Sequence, residues 1–273
     1  MLRVGLIGFP VEHSLSPAFQ QAAFDALGLD IRYELWTTTV EELAGRVEGL
    51  RASEFLGANV TVPYKERAFS LMESVSDIAR RAGAVNTIVK RGNQLHGENT
   101  DVAGFLSPLL RRGLQLREMN VIVLGAGGAA RGVVVALQSI GCEQIVVANR
   151  TVERARILAD QLAGAVEVSG LDDTLTAHAE RADLLVNATS LGWDGDRLPL
   201  DETALRALKQ DALVYDLTYR ATPLLRAAQR FGHPTLDGLE MLVAQGAESF
   251  RLWTGEEPPF ELMLSAAHAA QSV

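Results

Sequence analysis

Short apolar runs alternate along this chain with segments whose apolar residues recur every three to four positions, and that order of elements allows few architectures. The run at residues 3–8 (RVGLIG) precedes a helical pattern over 17–27, with Pro17 suited to a first turn and Gly28 to a stop. The same order repeats at 33–37 with 40–50, and at 57–61 with 64–72. Such alternation implies a mostly parallel sheet covered by helices. Residues 87–90 and 94–96, joined through Arg91, Gly92 and Asn93, predict an antiparallel hairpin at the edge of that sheet. A second series starts at residue 120 as VIVLGAGGAARG, QIVVANRT, DLLVNATS and ALVYDLT, with helical segments between them, the pattern of a doubly wound fold. Residues 239–254 and 260–270 are helical with no strand left to feed, and are expected to fold back onto the first domain.

With 273 residues the chain exceeds the usual size of a single core, so two domains sharing a cleft are expected. Apolar residues make up 48% and charged residues 22%, a globular balance. The net charge of −9 and a pI near 5.1 argue against nucleic acid or anionic membrane as partners, because both need a basic patch. A lone cysteine, Cys142, cannot close an intrachain disulfide, and the sequence begins on a strand-like run without an apolar leader, so a cytoplasmic location is expected. No stretch approaches the roughly 20 apolar residues of a membrane helix.

Gly125-Ala-Gly-Gly-Ala-Ala130 follows a strand-like run and opens a helical pattern, the context that gives a glycine motif its meaning. Gly125 permits a tight turn, Gly127 lets the main chain approach a pyrophosphate, and small Ala130 keeps the helix close to the strand. The alternative is a glycine turn that merely packs a helix on a sheet. The next strand ends in Asn149-Arg-Thr151, with Arg154 one helical turn on and no acid to hold a ribose 2′-hydroxyl. Arg150 and Arg154 can grip a 2′-phosphate by bidentate, charge-assisted bonds, so NADP is the expected cofactor. The bland reading of these arginines is a solvated helix face paired with Glu153.

Eight motifs in order carry a resemblance across nearly the whole chain. They are His13-Ser-Leu-Ser-Pro17, Asn59-Val-Thr-Val-Pro-Tyr-Lys65, Ala84-Val-Asn-Thr87, Asn99-Thr-Asp101, Gly125-Ala-Gly-Gly-Ala129, Asn149-Arg-Thr151, Asn187-Ala-Thr-Ser190 and Gly238-Leu-Glu-Met-Leu-Val-Ala-Gln245. Together they resemble the shikimate dehydrogenase family. The resemblance implies an α/β protein with a discontinuous N-terminal substrate domain, residues 1–101 with 239–273, and a Rossmann-like NADP-binding domain, residues 102–238. It implies Lys65 and Asp101 as a catalytic pair, Ser14 and Ser16 as hydroxyls on a substrate carboxylate, and Thr61, Asn86 and Gln245 on ring hydroxyls, with Tyr215 near the substrate. Gly125, Ala126, Gly127, Gly128, Ala129, Asn149, Arg150, Thr151, Arg154, Thr189, Gly238 and Met241 are the implied cofactor residues, and no metal is implied. The implied reaction is NADPH-dependent reduction of 3-dehydroshikimate to shikimate, in a monomer or homodimer that binds small molecules.

The chemistry supports these roles independently. Hydride delivery to a ketone needs a proton donor for the developing alkoxide, and an ammonium beside a carboxylate supplies one of tunable pKa. Lys65 sits at a strand-to-helix corner after Pro63, and Asp101 opens a helix, where open α/β sheets present ligands. Singly, Lys65 reads as a surface lysine, Asp101 as a helix cap, and Ser14 and Ser16 as caps before the Pro17 helix. His13 reads as structural. Two departures touch substrate preference: Val102 stands where the family commonly has Gly, and the turn between Asp216 and Pro223 is about two residues short. Quinate and aminoshikimate are the alternative substrates. A glutamyl-tRNA reductase-like enzyme would need a thiol nucleophile, which Cys142 beside Gly141 in a turn does not suit. A non-catalytic NADP-binding regulator would be expected to lack Lys65 or Asp101, and both are present.

Overall fold

The computed structural model describes residues 1–162, 164–192 and 195–271. It divides into two compact units, Met1–Ser107 with Glu240–Val273, and Pro108–Leu239.

The first unit opens with β1 (Leu2–Gly8), α1 (Ser16–Ala26), β2 (Ile31–Thr37), α2 (Leu43–Gly49), β3 (Gly57–Val60) and α3 (Lys65–Ser70). It continues through β4 (Ser74–Val75), α4 (Asp77–Ala82), β5 (Thr87–Arg91) and β6 (Gln94–Glu98). α5 (Asp101–Arg111) follows, and the division between units falls inside it. The sheet order is β2-β1-β3-β5-β6-β4, and β5 alone runs against its neighbours. The hairpin of β5 and β6 is therefore interior, because β4 adds to β6 in parallel at Ser74↔His96 and Val75↔Gly97. That corrects its placement at the edge. Two residues carry no readable periodicity, so β4 is a tertiary addition. α4 is likewise unannounced by periodicity, but its ends are locally coded: the Ser76 hydroxyl accepts the Ala79 N–H, and Gly83 closes it in the left-handed region.

The second unit contains β7 (Val121–Leu124), α6 (Gly128–Ser139), β8 (Ile145–Ala148), α7 (Val152–Gln161), β9 (Glu167–Ser169) and α8 (Asp173–Ala179). β10 (Leu184–Asn187), α9 (Glu202–Arg206), β11 (Leu213–Asp216), α10 (Pro223–Arg230) and β12 (Thr235–Leu236) complete it. All strand pairs are parallel in the order β12-β11-β10-β7-β8-β9, the doubly wound order expected from the sequence. β7, β10 and β11 are buried along their whole length, which is why they read as continuous apolar runs. The order reverses between β7 and β10, and the glycine loop leaves the carboxyl end of β7 there.

Two helices follow, α11 (Leu239–Thr254) and α12 (Phe260–Gln271). α11 belongs with the first unit from Glu240 onward: Phe250 stacks on Phe24 at 5.0 Å, Trp253 donates to the Ile88 carbonyl at 3.0 Å, and Gln20 donates to the Gly246 carbonyl at 2.8 Å. α5 crosses α11 at Gly104, where an added Cβ would lie 2.7 Å from Gln245 Cβ and 3.0 Å from the Met241 carbonyl oxygen. Backbone blocks that contact, so Gly104→Ala is expected to destabilise by about 1–3 kcal/mol through overpacking. A urea midpoint equal to wild type would show that the two helices can separate without cost.

Candidate functional site

In the first unit the carboxyl ends of β1, β3 and β6 meet the start of antiparallel β5, and the loops there carry the candidate residues. Ser14 and Ser16 precede and open α1, Thr61 and Lys65 follow β3, Asn86 precedes β5, and Asp101 follows β6. Lys65 Nζ donates to Asp101 Oδ2 at 2.7 Å, with side chains 31% and 22% exposed, so the pair is open to a reactant while partly shielded from water. The Lys65 carbonyl accepts the Val85 N–H at 2.9 Å, which ties the lysine backbone to the segment carrying Asn86. Asn86 Nδ2 donates to Asp101 Oδ1 at 2.9 Å, so both carboxylate oxygens have a partner.

Asn86 is buried, and its amide also reaches Thr100 Oγ1 at 2.9 Å and Gln245 Oε1 at 3.4 Å. Gln245, on α11, is part exposed and donates to the Leu242 carbonyl at 2.7 Å. Thr61 is half-buried, its N–H bonded to the Ile7 carbonyl at 2.9 Å. Ser14 Oγ accepts the Ser16 N–H at 3.2 Å, which leaves its own hydrogen free to donate. Ser16 is the first residue of α1, and the cap position falls on Leu15 without a side-chain bond, so the reading of Ser16 as a cap is corrected. The phenol of Tyr33 nearby has its pKa raised by burial, against a smaller lowering effect of Ser16.

Behind these residues lies a buried polar network that periodicity did not single out. Tyr33 donates to Asn59 Oδ1 at 2.9 Å, and Asn59 Nδ2 donates to Ser249 Oγ at 2.9 Å and Thr87 Oγ1 at 3.1 Å. Ser249 Oγ also lies 2.8 Å from Thr87 Oγ1 and 3.3 Å from Thr100 Oγ1, and donates to the Gln245 carbonyl at 3.0 Å. The signal available in advance was spacing: Gln245, Ser249 and Trp253 recur every four residues on α11, placing polar groups on one helical face.

In the second unit Gly125 adopts φ 110°, a left-handed conformation that L side chains rarely take, and its N–H bonds the Ala148 carbonyl at 2.8 Å. Ala126 is half-buried, Gly127, Gly128 and Ala129 are exposed, and Ala130 is fully buried against the sheet. Gly127 caps α6 without any side-chain bond, and a Cβ there would meet open space. The first-turn N–H groups of a twelve-residue helix thus face outward from an uncrowded loop, a fit for a pyrophosphate. Asn149 Nδ2 donates to the Thr151 carbonyl at 2.8 Å, Thr151 caps α7, and Arg150 and Arg154 are exposed. Glu153 pairs with Arg156 at 2.7 Å and not with either arginine, so the solvated-face reading loses its proposed partner.

Thr189 lies on the loop after β10, with its hydroxyl donating to Asn187 Oδ1 at 2.7 Å. Gly238 donates its N–H to the Thr218 carbonyl at 2.8 Å. Met241, half-buried on α11, lies in the first unit. Tyr215 is the clear correction. It is 0% exposed in β11, between β10 and β12, so its ring belongs to the second unit's core and is closed to a substrate. Tyr219, in the turn after that strand, is the part-exposed tyrosine of the segment, its pKa raised by burial against the lowering effect of Arg220. Val102 is buried on α5. Among the described residues no group of three or more His, Cys, Asp or Glu is placed to hold a metal ion, and no helix is long and apolar enough to cross a membrane.

Comparison with known proteins covers both units. The family profile described as "Shikimate dehydrogenase substrate binding domain" matches residues 6–88, "Shikimate / quinate 5-dehydrogenase" matches 109–193, and "Shikimate 5'-dehydrogenase C-terminal domain" matches 238–268. The shikimate dehydrogenase (NADP(+)) of Symbiobacterium thermophilum is 42% identical, across 98% of this chain and 94% of that protein. That of Moorella thermoacetica is 44% identical, across 95% and 90%. The structure of shikimate 5-dehydrogenase from Thermus thermophilus in complex with NADP(H) and shikimate is similar with a TM-score of 0.89 at 42% identity, covering 99% of this chain and 100% of that one.

Proposed function

The chain belongs to the shikimate dehydrogenase family, and from that premise we infer that it catalyses the reversible NADPH-dependent reduction of 3-dehydroshikimate to shikimate. The observation that carries this reading is the Lys65–Asp101 pair at 2.7 Å, part exposed and buttressed by Asn86. Bound NADPH supplies the hydride for the ketone carbon. Lys65 delivers a proton to the oxygen as negative charge develops there, and Asp101 orients the ammonium. Ser14 and Ser16 take the substrate carboxylate, while Thr61, Asn86 and Gln245 address the ring hydroxyls. Asn86 is already bonded to Asp101, so a substrate hydroxyl would share an acceptor that is held in place.

The second unit holds the cofactor. The loop at Gly125, Ala126, Gly127, Gly128 and Ala129 takes the pyrophosphate, and Asn149, Arg150, Thr151 and Arg154 take the 2′-phosphate. Thr189 and Gly238 contact the remainder there, and Met241, carried by the first unit, is the further residue assigned to the cofactor. The chain acts as a monomer or homodimer in the cytoplasm on small molecules, without a nucleic-acid partner; its net charge of −9 supports the last point. Cys142 is buried, and burial raises its thiol pKa, which disfavours the thiolate that a thioester-forming reductase needs.

A spectrophotometric panel of shikimate, quinate and aminoshikimate with NADP⁺ and NAD⁺ tests the assignment. Shikimate with NADP⁺ is expected to give the highest kcat/KM, and a higher value with quinate or aminoshikimate would move the substrate assignment. Ser14→Ala combined with Ser16→Ala should weaken shikimate by about 1.5–3 kcal/mol per bond to the charged carboxylate. Shikimate methyl ester should be far less sensitive. Equal losses on acid and ester would assign both serines to local structure alone.

A further inference from the structure

The carboxyl ends of β10 and β11 carry a buried amide facing a buried carboxylate, neither of which the proposed chemistry uses. Asn187 and Asp216 are register partners, both 0% exposed, and Asn187 Nδ2 donates to Asp216 Oδ2 at 3.0 Å. Asp216 collects three further donors. Oδ1 accepts the Thr218 N–H and hydroxyl, each at 3.0 Å, and Oδ2 accepts the Thr222 hydroxyl at 2.8 Å. The carboxylate thus orders the turn after β11 and, through one amide, fixes the rotamer of Asn187. Asn187 Oδ1 in turn accepts the Thr189 N–H at 3.1 Å and hydroxyl at 2.7 Å, and Thr189 Oγ1 accepts the Leu191 N–H at 3.2 Å. The loop shaped in this way lies against the glycine loop: a Cβ on Gly125 would sit 3.1 Å from both the Ala188 carbonyl oxygen and Thr189 Cγ2.

Strand order says which part of a dinucleotide this loop serves. β8, leading to Arg150 and Arg154, flanks β7 on one side, and β10 flanks it on the other. With the pyrophosphate over the end of β7 and the 2′-phosphate over β8, the rest of the cofactor extends over β10. We propose that Asn187 and Asp216 are positioning residues that set the 188–191 loop against the half of NADP lacking the 2′-phosphate. This rests on the reading of the second unit as the NADP site. A carboxylate suits the task, because its two oxygens together accept four donors, where an amide offers one accepting oxygen.

The test uses Asp216→Asn, Asn187→Asp and the two combined, with melting temperatures and calorimetric affinities for NADP⁺ and for adenosine 2′,5′-bisphosphate, which spans only the β7–β8 half. In Asp216→Asn two amides face each other, and in Asn187→Asp two carboxylates do. The combined variant restores one donor against one acceptor. Each single variant is expected to weaken NADP⁺ by about tenfold or more, leave the bisphosphate within about twofold, and be rescued by the combination. Thr189→Val, which removes the hydroxyl bond to Asn187 at 2.7 Å and keeps the backbone bond at 3.1 Å, should show the same split if a single variant does not fold. Unchanged NADP⁺ affinity, or equal loss of both ligands without rescue, overturns the proposal. Gly127→Asp separates the premise: if it spares NADP⁺ binding, the cofactor site is elsewhere, and if it abolishes binding while the pair variants and Thr189→Val do not alter it, only the positioning role falls.

Discussion

Lys65→Ala is expected to lower kcat by about 10²- to 10⁴-fold while the KM for shikimate changes far less, because a proton donor acts mainly on the transition state. The ammonium is held by Asp101 at 2.7 Å, and Asp101 by Asn86 at 2.9 Å, so its direction is set before substrate arrives. Asp101→Asn should also lower kcat, since an amide neither anchors nor electrostatically supports the ammonium as a carboxylate does. The double variant should lose less than the product of the single losses, because the second change removes a partner whose work is already lost. Steady-state kinetics of shikimate oxidation with saturating NADP⁺ decides the matter. A raised KM with unchanged kcat would make Lys65 a binding group, and full additivity would mean the two residues act separately.

The cofactor side has a comparable expected effect. Replacing Arg150 and Arg154 by neutral residues should raise the KM for NADP⁺ by about 10²-fold, as two exposed charge-assisted contacts to one phosphate are lost. NAD⁺ should be nearly unaffected, because the pyrophosphate contacts at Gly125 to Ala129 are common to both dinucleotides. Wild-type preference for NADP⁺ should weaken with added salt, as expected for exposed charges. kcat at saturating NADP⁺ should persist. Equal binding of both cofactors by wild type and variant would place 2′-phosphate recognition at another group on the 149–154 turn.

The two halves of this fold were legible to different degrees, for a physical reason. Helix and strand periodicity, the Gly125 turn and the absence of an acid after β8 are local signals, so the second sheet's parallel series and its glycine loop could be read directly. The two-residue β4 has no period to detect, and it displaced the expected edge hairpin into the sheet interior. Tyr215 and Tyr219 lie four residues apart and are chemically identical, yet one is sealed between parallel strands and the other is part exposed. Sequence pattern separates strand from turn but does not say which tyrosine keeps an open face.

What the amino-acid order determined by itself was the alternation of elements, the glycine loop, the basic strand end and the set of chemically capable side chains. What only the tertiary structure decided was which of those side chains meet. Lys65 and Asp101 are 36 residues apart, Asn59 and Ser249 are 190 apart, and Asn187 and Asp216 are 29 apart. Their hydrogen bonds depend on strand order and on the return of α11 to the first unit, which are set by burial summed over whole domains and leave no mark in any local stretch of sequence.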